Sequence, residues 1–210
     1  MLRTRVKICG ITRVEDALAV VDAGADAIGL VFFERSARNV SLEQAADIAS
    51  VVSAFVTVTG LFVDPESDWV ESVLRSVPLG LLQFHGSEPA SECRRYGLPY
   101  IKAAGIKGLD DFDAFAAEYD DAVGLLIDSH GAGEMGGTGE TFDWSRFPSG
   151  SDRPLILAGG LNPDNVAAAI EAVEPYAVDL SSGVELAPGI KDAARIRTLM
   201  KEVKRVDCQR

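Results

Sequence analysis

The sequence predicts a single-domain (β/α)8 barrel over residues 1–210, and three observations carry that expectation. Short apolar or β-branched runs alternate with amphipathic stretches, the pattern of repeated βα units around a parallel sheet. Eight such runs occur along the chain. The length suits a minimal barrel of about 200 to 250 residues, whereas a doubly wound open sheet seldom carries so many regular units.

The first run is Arg5 to Ile8 (RVKI), followed by Thr12 and Glu15 at capping-box spacing. Ala27 to Phe32 comes next, and Ser41 with Gln44 repeats the same helix-start spacing. The third run, Phe55 to Phe62, leads into Asp64-Pro65, which places a proline at the first helical position after a capping side chain. Leu79 to Phe84 and Tyr100 to Ala104 are the fourth and fifth. Ala122 to Ile127 is the sixth. The glycine-rich Gly131 to Gly139 then reads as a βα loop, before a short helix around Asp143 to Phe147. Pro154 to Ala158 precedes Asn162-Pro163, a second proline start, and Ala177 to Leu180 closes the series.

Composition bounds the function. At 47% hydrophobic and 25% charged, the chain can bury a sizeable core. A formal charge of -12 argues against nucleic acid, whose phosphates require clustered Lys and Arg. The N-terminal stretch has no apolar segment suited to a signal peptide or membrane span, so a cytoplasmic protein without membrane contact is expected. Cys9, Cys93 and Cys208 are odd in number and widely spaced, which indicates free thiols and neither a disulfide framework nor a zinc site.

In such a barrel the reacting groups stand at strand C-termini and on the loops that follow. Cys9 ends the first run and Asp128 the sixth, so both face one mouth. By the two-residue period Lys7 shares a face with Cys9, Gln83 with His85, and Asp179 with Ser181. Lys7 and Asp179 become neighbours if strands one and eight close the barrel, and such a pair is structural, positional or both. Burying a carboxylate is costly, which makes Asp128 harder to dismiss as merely structural. Cys9 alone reads first as a small buried hydrophobe; opposite an aspartate at the barrel mouth it becomes a base if nearby positive charge such as Lys7 favours the thiolate. His85 and His130 are rivals, His85 better placed to line a site and His130 in a glycine-rich loop.

Gly159-Gly160 after strand seven and Ser181-Ser182-Gly183 after strand eight stand where barrels cradle phosphate with backbone N–H groups. Gly136-Gly137-Thr138-Gly139 would add donors or close over the ligand. Arg38 follows strand two, where a guanidinium can clamp a carboxylate.

An ordered set of motifs then becomes diagnostic. Lys7 to Thr12 (KICGIT), Gln83 to Gly86 (QFHG), Gly136 to Gly139 (GGTG) with Phe142-Asp143-Trp144, Ala158 to Leu161 (AGGL), Asp179 to Glu185 (DLSSGVE) and Pro188 to Asp192 (PGIKD) resemble the phosphoribosylanthranilate isomerase family of tryptophan biosynthesis. The resemblance covers nearly the whole chain. It implies a (β/α)8 barrel that converts N-(5-phosphoribosyl)anthranilate to 1-(2-carboxyphenylamino)-1-deoxyribulose 5-phosphate by an Amadori rearrangement, with no cofactor and no metal. It makes Asp128 the general acid on the furanose ring oxygen and Cys9 the base on the sugar C2 proton. It gives Arg38 the anthranilate carboxylate. It gives the phosphate to the seventh and eighth loops, so Gly159, Gly160, Ser181, Ser182 and Gly183, with Gly137, are expected to bind it, and Lys7, His85 and Asp179 are expected to be further substrate contacts.

One departure is visible: Ser36-Ala37-Arg38 stands where the family usually has Ser-Pro-Arg, which frees φ at the middle residue. Two other readings stay open. The histidine-pathway aminoimidazole ribotide isomerase resembles this chain in its phosphate loops but uses two aspartates, so Cys9 counts against it. A phosphosugar-binding module without catalysis is the other, and the intact Cys9 and Asp128 count against that. The expected partner is the anthranilate-bearing phosphosugar substrate, on a monomer or a homodimer.

Overall fold

Eight parallel strands close into a barrel in chain order, β1 to β8, with β8 pairing back onto β1. The structure is a computed structural model that describes residues 3–129 and 144–210. Its elements are β1 (Arg5–Cys9), α1 (Val14–Ala23), β2 (Ala27–Val31), α2 (Leu42–Ser50), β3 (Thr57–Phe62), α3 (Ser67–Ser76), β4 (Leu81–Phe84) and α4 (Ala90–Cys93). They continue with β5 (Tyr100–Gly105), α5 (Phe112–Glu118), β6 (Gly124–Asp128), β7 (Leu155–Ala158), α6 (Val166–Val173), β8 (Ala177–Leu180), β9 (Glu185–Ala187), β10 (Ile190–Lys191) and α7 (Ala193–Asp207). Between β6 and β7 the described residues hold a single 3-10 turn, Trp144–Arg146, where the sequence predicts a short helix. None of the described helices is long and apolar enough to cross a membrane.

Each barrel strand is buried on both faces over most of its length, which is why its runs are almost continuously apolar. Outward side chains such as Ile8, Ile28, Phe62, Leu82, Leu125 and Leu157 pack under the helices in one cluster. Inward side chains divide by height. Leu81, Ile101, Ala103, Leu126, Ile156 and Ala177 fill the lower barrel, and Cys9, Val31 and Leu61 pack near the C-terminal mouth. The buried polar side chains Lys7, Thr59, Gln83 and Asp179 share the inward parity of these residues.

Most strand boundaries agree with the sequence to within two residues, and the third begins at Thr57 rather than Phe55, whose side chain is 99% exposed. The capping box at Ser41 and Gln44 forms as expected. The one at Thr12 does not: α1 starts after Arg13, and the Thr12 hydroxyl donates to Gly189 O at 2.6 Å. Asp64 does not cap α3 either. That helix starts after Glu66, and Asp64, at φ 44°, accepts from Ser87 N at 2.6 Å. Asn162 does serve a helix start, since its Oδ1 accepts from Asp164 N and its carbonyl from Val166 N in the turn leading into α6.

A buried ion pair outside the barrel fixes the chain after β4. Lys102 lies on the outward face of β5, and its Nζ donates to Glu88 Oε2 at 2.7 Å and to Gly86 O at 2.6 Å. Glu88 also accepts from the backbone N–H groups of Asp64 and Gly86. The turn that follows His85 is therefore tied at three points. Lys102→Met is expected to destabilise the fold by about 3–5 kcal/mol, because Glu88 would keep a buried charge without its cation. Chemical denaturation checks this, and a variant as stable as wild type would show that Glu88 is solvated or neutralised on losing its partner.

Candidate active site

Strand alternation and register bring four strand ends to one mouth. On β1, Lys7 and Cys9 both point inward, with Lys7 paired in register to Asp179 of β8. His85 follows β4, and Asp128 ends β6 opposite Gly105 and Ala158. Above them is a cavity of about 240 Å3 lined by Cys9, Arg38, His85, Asp128, Gly159, Gly160, Asp179, Ser181 and Ser182, with Phe33, Leu61 and Val63 supplying an apolar wall. A few convergent polar groups against an apolar wall is the form of a small-molecule site. Of the remaining expected residues, Lys7 is buried against Asp179, and Gly183 backs the cavity without lining it. Gly137 and His130 lie outside the described residues.

The two buried charges at the floor hold each other: Lys7 Nζ lies 2.9 Å from Asp179 Oδ1. Burial disfavours the Lys7 ammonium, but Asp179, with help from Cys9, outweighs it and raises the lysine above its ordinary range. Burial also pushes the Cys9 thiol up, against the pull of the Lys7 and Lys191 cations towards the thiolate. His85 is shifted the other way, since burial lowers it despite the nearby Asp128 carboxylate. The imidazole is neutral, with Gln83 Nε2 at 3.0 Å from Nδ1 and Asp128 Oδ2 at 3.8 Å from Nε2. With the Gln83 amide assigned to donate, the ring proton sits on Nε2 and faces Asp128.

The loops after β7 and β8 meet. Gly159 and Gly160 both adopt positive φ, at 92° and 64°, and a side chain on Gly183 would collide with the Leu161 carbonyl. Close approach of the two loops is what gathers backbone N–H groups around one ligand. Ser182 opens a 3-10 turn, Ser182–Val184, immediately after Ser181.

Arg38 enters the cavity already engaged. Its Nε donates to Glu185 Oε1 at 2.8 Å and its Nη2 to Glu185 Oε2 at 2.7 Å. Glu185 also accepts from Lys191 Nζ at 2.7 Å. Burial alone would raise the Glu185 carboxyl, but Arg38 and Lys191 outweigh it and hold the group below its ordinary value. Glu185 and Lys191, which hold Arg38 at the cavity, are residues to which sequence reasoning assigned no role. Both stand on β9 and β10, a two-stranded antiparallel hairpin that the eightfold repeat does not call for. Their presence in the motifs DLSSGVE and PGIKD was the available signal. Among the described residues no cluster of three or more His, Cys, Asp or Glu side chains is arranged to hold a metal ion.

The likeness to known proteins is extensive. The family model described as N-(5'phosphoribosyl)anthranilate (PRA) isomerase matches residues 6–202. N-(5'-phosphoribosyl)anthranilate isomerase of Pseudomonas fluorescens is 55% identical over 205 residues, covering 98% of each chain. That of Pseudomonas aeruginosa is 52% identical over 204 residues, covering 97% of each. The crystal structure of the phosphoribosyl anthranilate isomerase from Thermotoga maritima superposes with a TM-score of 0.84 at 42% identity, over 96% of this chain and 98% of that one. Another solved isomerase, in complex with reduced 1-(o-carboxyphenylamino)-1-deoxyribulose 5-phosphate, is 40% identical with a TM-score of 0.81 over 96% and 98%. A barrel of this register, with these groups at its mouth and relatives that match from end to end, belongs to the N-(5'-phosphoribosyl)anthranilate isomerase family.

Proposed function

We propose that this chain isomerises N-(5'-phosphoribosyl)anthranilate in tryptophan biosynthesis, with Asp128 as general acid and Cys9 as general base. The observation that carries the reading is that Cys9 and Asp128 line one cavity beneath the meeting loops of β7 and β8. Asp128 delivers a proton to the furanose ring oxygen as the C1–O bond breaks, and the anilino nitrogen lone pair forms the Schiff base. The Cys9 thiolate takes the C2 proton, and the electron pair moves into the enolamine. Return of a proton to C1, with loss of the C2 hydroxyl proton, gives the ketose. No electrons are exchanged and the atoms balance within the substrate.

The rest of the cavity supports this division. Phosphate fits the cradle formed by Gly159, Gly160, Ser181 and Ser182, with Gly183 bringing its two loops together. Asp179, fixed by Lys7, faces the sugar beside Cys9 and accepts from its hydroxyls. His85 donates from Nε2 to the substrate or to Asp128. Arg38 receives the anthranilate carboxylate, and Phe33, Leu61 and Val63 offer the apolar surface an aromatic ring requires.

Loss of anthranilate-type fluorescence from freshly made substrate tests the assignment. Decay well above the spontaneous rate, with indole-glycerol-phosphate synthase present to remove product, is the expected result. Background decay at high enzyme concentration would refute it.

A further inference from the structure

Arg38 has two edges with which to grip a carboxylate, and one of them is already taken. A guanidinium carries five N–H donors in a plane, arranged as a side fork from Nε and Nη2 and an end fork from Nη1 and Nη2. Glu185 occupies the side fork with two short bonds. Among the described residues Nη1 has no hydrogen-bond partner, and Arg38 lines the cavity. We propose that Glu185 is a positioning residue for substrate recognition, holding the side fork of Arg38 so that the end fork meets the anthranilate carboxylate. The proposal rests on the isomerase reading above.

Glu185, the first residue of β9, is itself anchored from several sides. Gly189 N donates to its Oε1 at 3.3 Å beside the Lys191 bond. Lys191 Nζ also reaches Ser181 O at 3.2 Å, next to the proposed phosphate cradle. The Lys191 backbone N–H donates to Asp16 Oδ2 at 3.0 Å, and Arg13 clamps Asp16 with two further bonds. A chain of ion pairs and one backbone hydrogen bond thus runs from the start of α1 through the hairpin to Arg38. On its other side the Arg38 stem passes over Gly10, where any side chain would strike Cδ.

The arrangement has a physical purpose. A free arginine on a loop loses much rotamer freedom when it grips a ligand, and an arginine held in place has lost it beforehand. Two cations around one carboxylate also leave this triad with a net positive charge, of which Arg38 is the member that lines the cavity. Glu185 opposes this in part, because its own charge repels a ligand carboxylate. Anchoring outweighs that repulsion, so loss of Glu185 weakens recognition of the carboxylate.

The test compares two ligands by calorimetry: the reduced 1-(o-carboxyphenylamino)-1-deoxyribulose 5-phosphate and its counterpart lacking the carboxyl group. Wild type should prefer the carboxylated ligand by about tenfold or more, the scale of a charged hydrogen-bonded pair. In Glu185→Gln that preference should shrink several-fold, and KM should rise by a larger factor than kcat falls. In an Arg38→Ala background Glu185→Gln should have no further effect on the preference, a coupling that a role in folding alone would not produce. Glu185→Gln leaves Lys191 buried without its counter-charge. Glu185→Asp, which keeps the charge, and Glu185→Gln/Lys191→Met, which removes both charges, carry the test if the single variant fails to fold. Glu185→Asp should retain part of the preference. A preference that is unchanged or larger in folded variants overturns the proposal. Wild type that prefers the carboxylate yet turns nothing over would sink the isomerase reading and leave the positioning role in place.

Discussion

Asp128→Asn lowers kcat by about 10²- to 10⁴-fold, the usual range for a lost general acid or base. The exchange is nearly isosteric, and it falls on a side chain that is 18% exposed at the end of β6, where the strand pairing uses backbone groups. The fold should therefore survive, and circular dichroism verifies that. Asparagine can donate a hydrogen bond to the ring oxygen but cannot transfer a proton, so the loss should fall on ring opening and leave substrate binding close to wild type. The fluorescence assay with wild type alongside reads it directly. A variant within tenfold of wild type would move the acid elsewhere, and His85, whose Nε2 lies 3.8 Å from Asp128, would be the first residue to test. The direction of the His85 shift argues against that outcome, since burial keeps the ring neutral at neutral pH and leaves it a poor proton donor there.

Much of the barrel is legible in the sequence because each strand carries its own signal. Eight apolar runs of regular spacing, joined by helical stretches, leave few alternatives, and closure of β1 on β8 follows once the count is eight. The inward set at the strand ends is legible for the same reason. A period of two places Cys9 with Lys7 and His85 with Gln83 without any knowledge of tertiary contacts. Boundaries are less so, because an apolar residue beside a strand reads like part of it. Leu79 and Ala122 are buried in the connections that lead into β4 and β6, while Phe55 faces solvent.

Thr12 and Asp64 show where local reading fails. Each has a side chain suited to a helix cap and a helix soon after, and each spends that side chain on a distant group, Gly189 O and Ser87 N. Hydrogen-bonding capacity is encoded locally, but the partner is chosen by the fold. The partners of Lys102, outside the barrel, and of Glu185, beside the site, are likewise chosen by the fold. A lysine inside the apolar run Tyr100 to Ala104 does signal a buried pair, yet nothing nearby names Glu88 as its partner. Arg38 and Glu185 are separated by 147 positions and meet only because a hairpin after β8 leans across the mouth of β2. The identity of the groups at the mouth was readable, and their mutual orientation was not.

Cys9→Ser is the second large effect, about 10²- to 10⁴-fold in kcat, and its pH dependence is more informative than its size. A base works deprotonated, so activity that depends on Cys9 rises with pH until the thiol has ionised. Burial raises this thiol above its ordinary value, against the opposing cations Lys7 and Lys191. The ascending limb of kcat/KM in wild type should accordingly climb through neutral pH by up to about tenfold per unit and continue into the alkaline range. Serine has no accessible ionisation there, so that limb should disappear while any residual activity stays flat with pH. Alkylation of the free enzyme gives an independent reading, because the thiolate is the reacting form. Modification at Cys9 should be slow at pH 7, accelerate with pH over the same range and be blocked by the product analogue. An ascending limb that persists in Cys9→Ser would assign it to another group and remove Cys9 from the role of base.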